Sequence, residues 1–317
     1  MSLKIIGTGR ALPQKAVSND DLSAFLDTND EWISSRTGVK SRYLCGGESL
    51  TDLCESAARK AIQKSGLELS EIDLVLCSTL GGDYITPSLS CSVAERLGIS
   101  CPAFDLNAAC SGFLYAMDVA SVYLESGRAN HILILCAEMM SKYVDWNDRA
   151  TCVLFGDGAG ACVVAKGTAL KYIHLTAEGD TKILFCETGG GNSPYQEKKE
   201  RGFVHMQGQE VFKFAVRMIE TETKAALESL SYAAGDIDYY LLHQANRRII
   251  DFAREKLGQP EEKFPTNIHK YGNISSASIP VLLDELLEAQ KIQKGAKLLM
   301  SAFGAGLTAG TCVMIWE

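Results

Sequence analysis

The stretch GDIDYYLLHQANRRIIDFAREKLG (235–258) decides the fold, because it reads as one complete structural step. An acidic turn leads into an apolar run of strand length, and an amphipathic helical pattern follows and closes on Leu-Gly. The same step occurs earlier in the chain, opened by SEIDLVLCS (70–78) and closed by ERLG (95–98). Working outward, a helical pattern precedes each copy, LTDLCESAARKAIQKSG (50–66) and VFKFAVRMIETETKAALESL (211–230). The halves also end alike, on FGDGAGACVVA (155–165) and FGAGLTAGTCVMI (303–315). Four matches in one order mark an internal duplication. Alternating strands and helices imply an α/β class with mostly parallel sheets under helical cover. No Gly/Ser-rich or Pro-rich linker separates the copies. The two halves, 1–168 and 169–317, are therefore expected to pack into one body.

Composition narrows the function classes. With 317 residues, 46% of them hydrophobic, the chain has material for a large core. No apolar run approaches the ~18–20 residues that span a bilayer. The start, MSLKIIGTGRALP, runs straight into a strand and a Pro turn, with no signal-peptide pattern. A net charge of −8 argues against a broad nucleic-acid footprint and leaves a local basic patch open. The 11 cysteines are scattered without a single C-x-x-C pair. That pattern fits a reducing cytoplasm better than a disulfide framework or a closely spaced zinc site.

In α/β folds, active sites gather where strands give way to helices. Three such junctions carry reactive side chains. In CPAFDLNAACSGFLYAMDVASVYLESG (101–127), Cys110 sits at the mouth of a helix that opens near Ser111. A helix N-terminus favours negative charge and makes a thiolate more available. Gly112 and the two preceding alanines are expected to leave room for a substrate; the ordinary alternative is a buried core cysteine. In the 235–258 stretch, His243 stands where strand becomes helix, suited to proton or hydrogen-bond work, or else a structural histidine. In KYGNISSASIPVLLDELLEA (270–289), Asn273 precedes a helix, where asparagine is often only a cap. The repeat places Asn273 roughly where Cys110 lies in the first half, which would bring the two together across the pseudo-dyad.

At these residues a resemblance appears. DLNAACSGF (105–113), HQANRR (243–248) and YGNISSAS (271–278) resemble the Cys, His and Asn motifs of the β-ketoacyl-acyl carrier protein synthase III family. DEWISSRTG (30–38), DRATCVLFGDGAGA (148–161), MQGQEVFKFAV (206–216) and AFGAGLTAGT (302–311) fit it too, so the likeness spans nearly the whole chain. The resemblance implies a thiolase-like, five-layered αβαβα fold from two duplicated halves. It implies that Cys110 takes an acyl group from an acyl-CoA, with acetyl-CoA the expected primer. Malonyl-acyl carrier protein would then lose carbon dioxide and condense with that acyl group, starting type II fatty-acid synthesis. His243 and Asn273 would donate hydrogen bonds to the malonyl thioester oxygen. The backbone N–H groups of Cys110 and Ala305 would form an oxyanion site, although relatives often carry glycine at 305.

By the same resemblance, Thr28, Trp32, Arg36 and Arg149 would hold the CoA nucleotide. Gly208, Phe212 and Asn246 would line the pantetheine tunnel. Lys213, Arg248 and Lys256 would offer a basic patch to an acidic acyl carrier protein. The family implies a homodimer and no cofactor. Two positions depart from its pattern. Thr86 stands where an aromatic often reaches the acyl pocket across the dimer interface, and Ala309 stands where Trp is frequent, so primer size stays open. A specialised ketide synthase, an acyltransferase without condensation, and a noncatalytic carrier-protein binder remain alternatives.

Overall fold

Local signals in the sequence set where the elements begin and stop. Ser49 and Asp52 form a capping box at the start of one long helix, and Gly66 ends it in the left-handed conformation. The computed structural model describes residues 2–191, 193–195 and 199–317. The first half begins with β1 (Lys4–Ala11), β2 (Lys15–Ser18), α1 (Asn19–Ser23), α2 (Asp30–Thr37) and β3 (Ser41–Leu44). It continues through α3 (Leu50–Ser65), β4 (Leu74–Ser78), α4 (Leu89–Leu97), β5 (Ala103–Leu106), α5 (Gly112–Glu125), β6 (His131–Met139) and β7 (Asp157–Ala165). The second half opens with β8 (Leu170–Asp180), β9 (Leu184–Phe185), β10 (His205–Met206), α6 (Gly208–Leu230) and β11 (Tyr239–Leu242). After these come α7 (Arg247–Leu257), α8 (Ile268–Tyr271), α9 (Ser278–Glu288), β12 (Lys297–Gly304) and β13 (Gly306–Ile315).

Two sheets carry the molecule, ordered β1-β7-β6-β4-β5 and β8-β13-β12-β11. The second order repeats the first four places of the other, strand for strand. The expectation of mostly parallel sheets is corrected. Only β6-β4, β4-β5 and β11-β12 are parallel, while β1, β7, β8 and β13 all pair antiparallel with their neighbours. At β12-β13 the cause is plain: the chain reverses through Ala305 alone, and a turn that tight can return only antiparallel. Among the described residues the second sheet has no counterpart of β5. Pro260 and Pro265 flank that stretch, and proline cannot donate to a ladder.

Strand alternation explains the layering. Leu74 and Leu76 of β4 enter the core between the two sheets, whereas Val75 and Cys77 enter the one under α3 and α4. A strand buried on both faces reads as an unbroken apolar run. Between the sheets lie α5 and α9, whose Phe113, Leu114, Met117, Ile279, Leu282 and Leu286 pack with Leu298 and Met300. Each such side chain contributes roughly 1.5–3 kcal/mol by leaving water. With α6 and α7 covering the outer face of the second sheet, the result is the five-layered αβαβα thiolase arrangement. Six cysteines (54, 77, 136, 152, 162 and 312) are buried, and all 11 are free thiols. Among the described residues no helix is long and apolar enough to cross a membrane.

Candidate active site

The Cys110 junction is an Asx turn feeding a helix. Asn107 Oδ1 accepts from the Ala109 N–H at 3.1 Å, Ala109 takes a left-handed φ of 47°, and a short 3-10 turn, Ala109–Ser111, delivers the chain into α5. Two glycines let other segments close on it. A Cβ on Gly304 would lie 2.6 Å from the Cys110 backbone nitrogen, so only glycine lets β12 come this close. A Cβ on Gly112 would lie 1.8 Å from Ser78 Oγ. Gly112 therefore serves the packing of α5 on the end of β4, which corrects the expectation that it makes room for substrate. Thr308 Oγ1 donates toward Ala108 and Ala305 carbonyls, each at 3.0 Å, and meets Ser111 Oγ at 2.6 Å. The β12-β13 turn is thus tied to the cysteine turn.

The second half repeats this arrangement. Asn273 Oδ1 accepts from the Ser275 N–H at 2.8 Å, Ser275 has a φ of 48°, and the 3-10 turn Ser275–Ala277 runs into α9. The true counterpart of Asn273 is therefore Asn107, and that of Cys110 is Ser276. The expected equivalence of Asn273 with Cys110 is three residues out, because the turn asparagine precedes the helix mouth. Asn273 still faces the same cavity as Cys110. Its backbone is seated on the first half, bonding to Leu154 and Gly156 at 2.8 and 3.0 Å. With Oδ1 committed to the turn, the amide's donor end, Nδ2, is the one left for the cavity.

His243 follows β11, and its N–H donates to the Ser301 carbonyl at 2.9 Å. The ring is buried, its Nδ1 lies 2.7 Å from Ser278 Oγ, and Phe303 meets it edge-on with centroids 5.4 Å apart. Burial pushes its pKa down to about 3, so the imidazole is neutral. Burial also pushes the Cys110 thiol up to about 12; the Ser275 hydroxyl pulls the other way and Glu138 adds to the rise. The expectation of a more available thiolate at the helix mouth is corrected: desolvation dominates, and the free site holds a neutral thiol.

Sequence reasoning missed Glu138. This buried carboxylate accepts from Ser276 Oγ at 2.8 Å, Ser275 Oγ at 3.2 Å and Leu80 N at 3.1 Å, bridging the two halves beside Cys110. Burial raises its pKa to about 7. The available signal was a lone carboxylate ending the apolar run HILILCAEM (131–139).

Cys110, His243, Asn273 and Ala305 line one cavity of about 640 Å³, together with the expected tunnel residues Gly208, Phe212 and Asn246. Ala305 does not adopt a positive φ, so alanine fits there without backbone strain. Thr28, Trp32, Arg36 and Arg149 do not line the cavity. The Trp32 ring carries the guanidinium of Arg36 at 4.7 Å and of Arg149 at 5.1 Å, and Asn246 Nδ2 donates to the Arg36 carbonyl at 3.2 Å. This cluster therefore adjoins the cavity through Asn246. Among the described residues the buried Thr28 hydroxyl has no hydrogen-bond partner. Lys213, Arg248 and Lys256 are all exposed; Lys213 pairs with Glu210, and Lys256 lies over Phe252, which packs on Phe212. Thr86 is exposed beside the exposed Tyr84 and Ile85, away from this chain's own cavity. Ala309 is buried in the core under α6 and does not line the cavity.

A five-layered αβαβα body with a cysteine at a helix mouth, facing a histidine and an asparagine from its other half, defines a thiolase-fold condensing enzyme. Comparison with known proteins narrows the class. The family described as 3-oxoacyl-[acyl-carrier-protein (ACP)] synthase III matches residues 104–180, and its C-terminal counterpart matches 227–316. The beta-ketoacyl-[acyl-carrier-protein] synthase III of Clostridium acetobutylicum is 43% identical over 99% of both chains. The crystal structure of 3-oxoacyl-[acyl-carrier-protein] synthase III from Aquifex aeolicus superposes with a TM-score of 0.91 at 40% identity, covering 99% of this chain and 100% of that one. The priming beta-ketosynthase of the R1128 polyketide pathway superposes at 0.93 with 34% identity, covering 99% and 96%. The chain belongs to the 3-oxoacyl-[acyl-carrier-protein] synthase III family, condensing acyltransferases.

Proposed function

We propose that this enzyme starts type II fatty-acid synthesis by condensing an acyl-CoA primer, acetyl-CoA foremost, with malonyl-acyl carrier protein. The observation that carries the reading is the pairing of two neutral donors, His243 and the Nδ2 end of Asn273, with Cys110 in one cavity. Cys110 sulfur attacks the thioester carbonyl, its proton leaves with the CoA thiol, and the acyl group stays on the enzyme. The malonyl group then loses carbon dioxide, and the electron pair of the broken C–C bond delocalises onto the thioester oxygen. His243 and Asn273 stabilise that oxygen, each contributing ~3–4 kcal/mol. The carbanion attacks the acyl-enzyme carbonyl, the C–S bond breaks, and Cys110 leaves as a thiolate that takes a proton from water to return to the thiol. Asparagine cannot serve as a base and none is required, because decarboxylation generates the carbanion without removing a proton. SAFGAGLTAG (301–310) carries no cysteine that would supply a base for the thiolase reaction.

The Cys110 and Ala305 N–H groups serve as the oxyanion site in both acyl-transfer steps. Trp32, Arg36, Arg149 and Thr28 hold the CoA nucleotide, and Gly208, Phe212 and Asn246 guide pantetheine. Lys213, Arg248 and Lys256 receive the carrier protein. The exposed Tyr84 and Ile85 beside Thr86 fit a homodimer contact, the halves divide at 168/169, and the cytoplasm is the compartment. The similarity to a polyketide priming synthase supports a second reading, the same condensation feeding polyketide assembly. Intact-protein mass spectrometry after acetyl-CoA exposure tests the chemistry. An adduct that Cys110→Ala abolishes is expected, with His243→Ala and Asn273→Ala keeping acylation but losing most malonyl decarboxylation. Equal loss of both half-reactions in these two variants would refute the division of roles. Offering carrier proteins from fatty-acid and polyketide systems separates the two readings.

A further inference from the structure

We infer that Ser278 is the positioning residue that fixes the tautomer of His243, holding the ring proton on Nε2 so that the imidazole meets the cavity as a hydrogen-bond donor. Ser278 Oγ lies 2.7 Å from Nδ1 of the ring and 3.4 Å from the Gln244 backbone nitrogen, whose N–H points at it. A serine hydroxyl has one hydrogen to give. The Gln244 N–H can only donate, so among the described residues Nδ1 is the one acceptor in reach of that hydrogen, which lies toward it. Nδ1 is then an acceptor, and a neutral ring with Nδ1 accepting carries its proton on Nε2. Among the described residues Ser278 Oγ has no other hydrogen-bond partner, and both side chains are buried, so bulk water does not compete.

The hydroxyl is not there to start the helix. The α9 cap position is Ala277, with no side-chain cap bond. The duplicate makes the same point. The counterpart of Ser278 in the first half is Gly112, which opens α5 with no side chain at all. The counterpart of His243, by strand register, is Ser78, and it is Ser78 that Gly112 packs against. The same contact between strand end and helix mouth thus exists twice, and only the half with the histidine supplies a hydroxyl to it.

Two consequences follow for the reaction, resting on the proposed role of His243 toward the malonyl thioester. An Nε2–H donor fits an oxygen that gains negative charge as carbon dioxide leaves. The same ring presents no lone pair to the cavity, so it does not take the Cys110 proton, and acyl capture proceeds independently of it.

Long-range proton–nitrogen NMR on the full chain labelled with 15N-histidine tests this, with the His243 signals identified as those missing from His243→Ala. The wild-type ring is expected as the Nε2–H tautomer. In Ser278→Ala the ring is expected to populate both tautomers, and malonyl decarboxylation to fall about 10-fold in kcat, well beyond any fall in acylation by acetyl-CoA. Ser278→Thr should restore both readouts. A wild-type ring protonated on Nδ1, or a Ser278→Ala ring that keeps the wild-type tautomer, overturns the inference. Wild-type enzyme that acylates but never decarboxylates malonyl-carrier protein would refute the functional reading instead, and the tautomer measured on the same sample would still decide the role of Ser278.

Discussion

Replacing Gly304 with alanine should disable acyl capture while leaving the protein folded. The added Cβ would stand 2.6 Å from the Cys110 nitrogen, 3.1 Å from Ala109 Cβ and 3.3 Å from Cys110 Cα. Two of these three atoms are backbone, so no rotamer change relieves the contact. An ordinary carbon–nitrogen contact of roughly 3.5 Å requires the cysteine turn to retreat by about 0.9 Å. That overpacking costs about 1–3 kcal/mol, a few degrees in Tm. The retreat also separates the Cys110 N–H from that of Ala305, the pair assigned to the oxyanion. A misplacement near 1 Å costs on the order of 100-fold in rate, comparable to losing one oxyanion donor. Quenched-flow mass spectrometry of the acyl adduct reads the rate, and thermal unfolding reads the packing cost. Gly235→Ala, where an added Cβ meets nothing within 4 Å, is the control and should change neither. If Gly304→Ala acylates within about 3-fold of wild type with the same Tm, the close-approach argument is wrong.

Other expectations follow from equally local contacts. Gly112→Ala should cost about 2 kcal/mol in urea unfolding, and adding Ser78→Ala, whose Oγ has no hydrogen-bond partner among the described residues, should recover more than half of it. Burial alone would raise the Asp284 pKa, but hydrogen bonds from Lys64 at 2.6 Å and Thr8 at 2.7 Å, with Arg10 alongside, hold it below the ordinary value. Its folded-state pKa is depressed, so its stabilisation is present above the unfolded value near 4 and is lost as pH falls through the folded one; the stability gap to Asp284→Asn, about 3 kcal/mol at pH 7, should close in acid titration. Glu138 has the opposite sign. Its pKa is raised to about 7, so ionising it costs the fold about 3 kcal/mol, a loss that accrues between pH 4.5 and 7 and that Glu138→Gln should flatten in the same titration. Trp32→Ala should raise the KM for acetyl-CoA about 10-fold and leave malonyl decarboxylation unchanged in steady-state assays.

Much of the site was legible in the sequence because its parts are strand-to-helix junctions, and a junction is a local pattern. Cys110, His243 and Asn273 could be picked out at three of them, and the duplication indicated that they meet. What escaped depends on contacts between residues far apart in the chain. Sheet direction failed because it is set by how the chain returns, and the reversal at Ala305 leaves no trace in hydrophobic periodicity. The purpose of Gly112 lies in Ser78, a strand away, and that of Glu138 lies in two serines of the other half. The thiol's protonation state depends on how much protein surrounds Cys110, which no motif encodes.

The matched turns at Asn107 and Asn273 imply a division of labour between copies. Wherever two identical subunits meet about a dyad, every substitution appears twice, so a nucleophile at one helix mouth forces a nucleophile at the other. Covalent fusion removes that constraint. Position 110 holds a thiol while its twin, Ser276, is tied to Glu138; position 243 holds an imidazole while its twin, Ser78, fills a packing contact. In the proposed reaction one copy carries the acyl group and the other polarises the incoming unit, an asymmetry open to this chain because each of its halves can mutate alone.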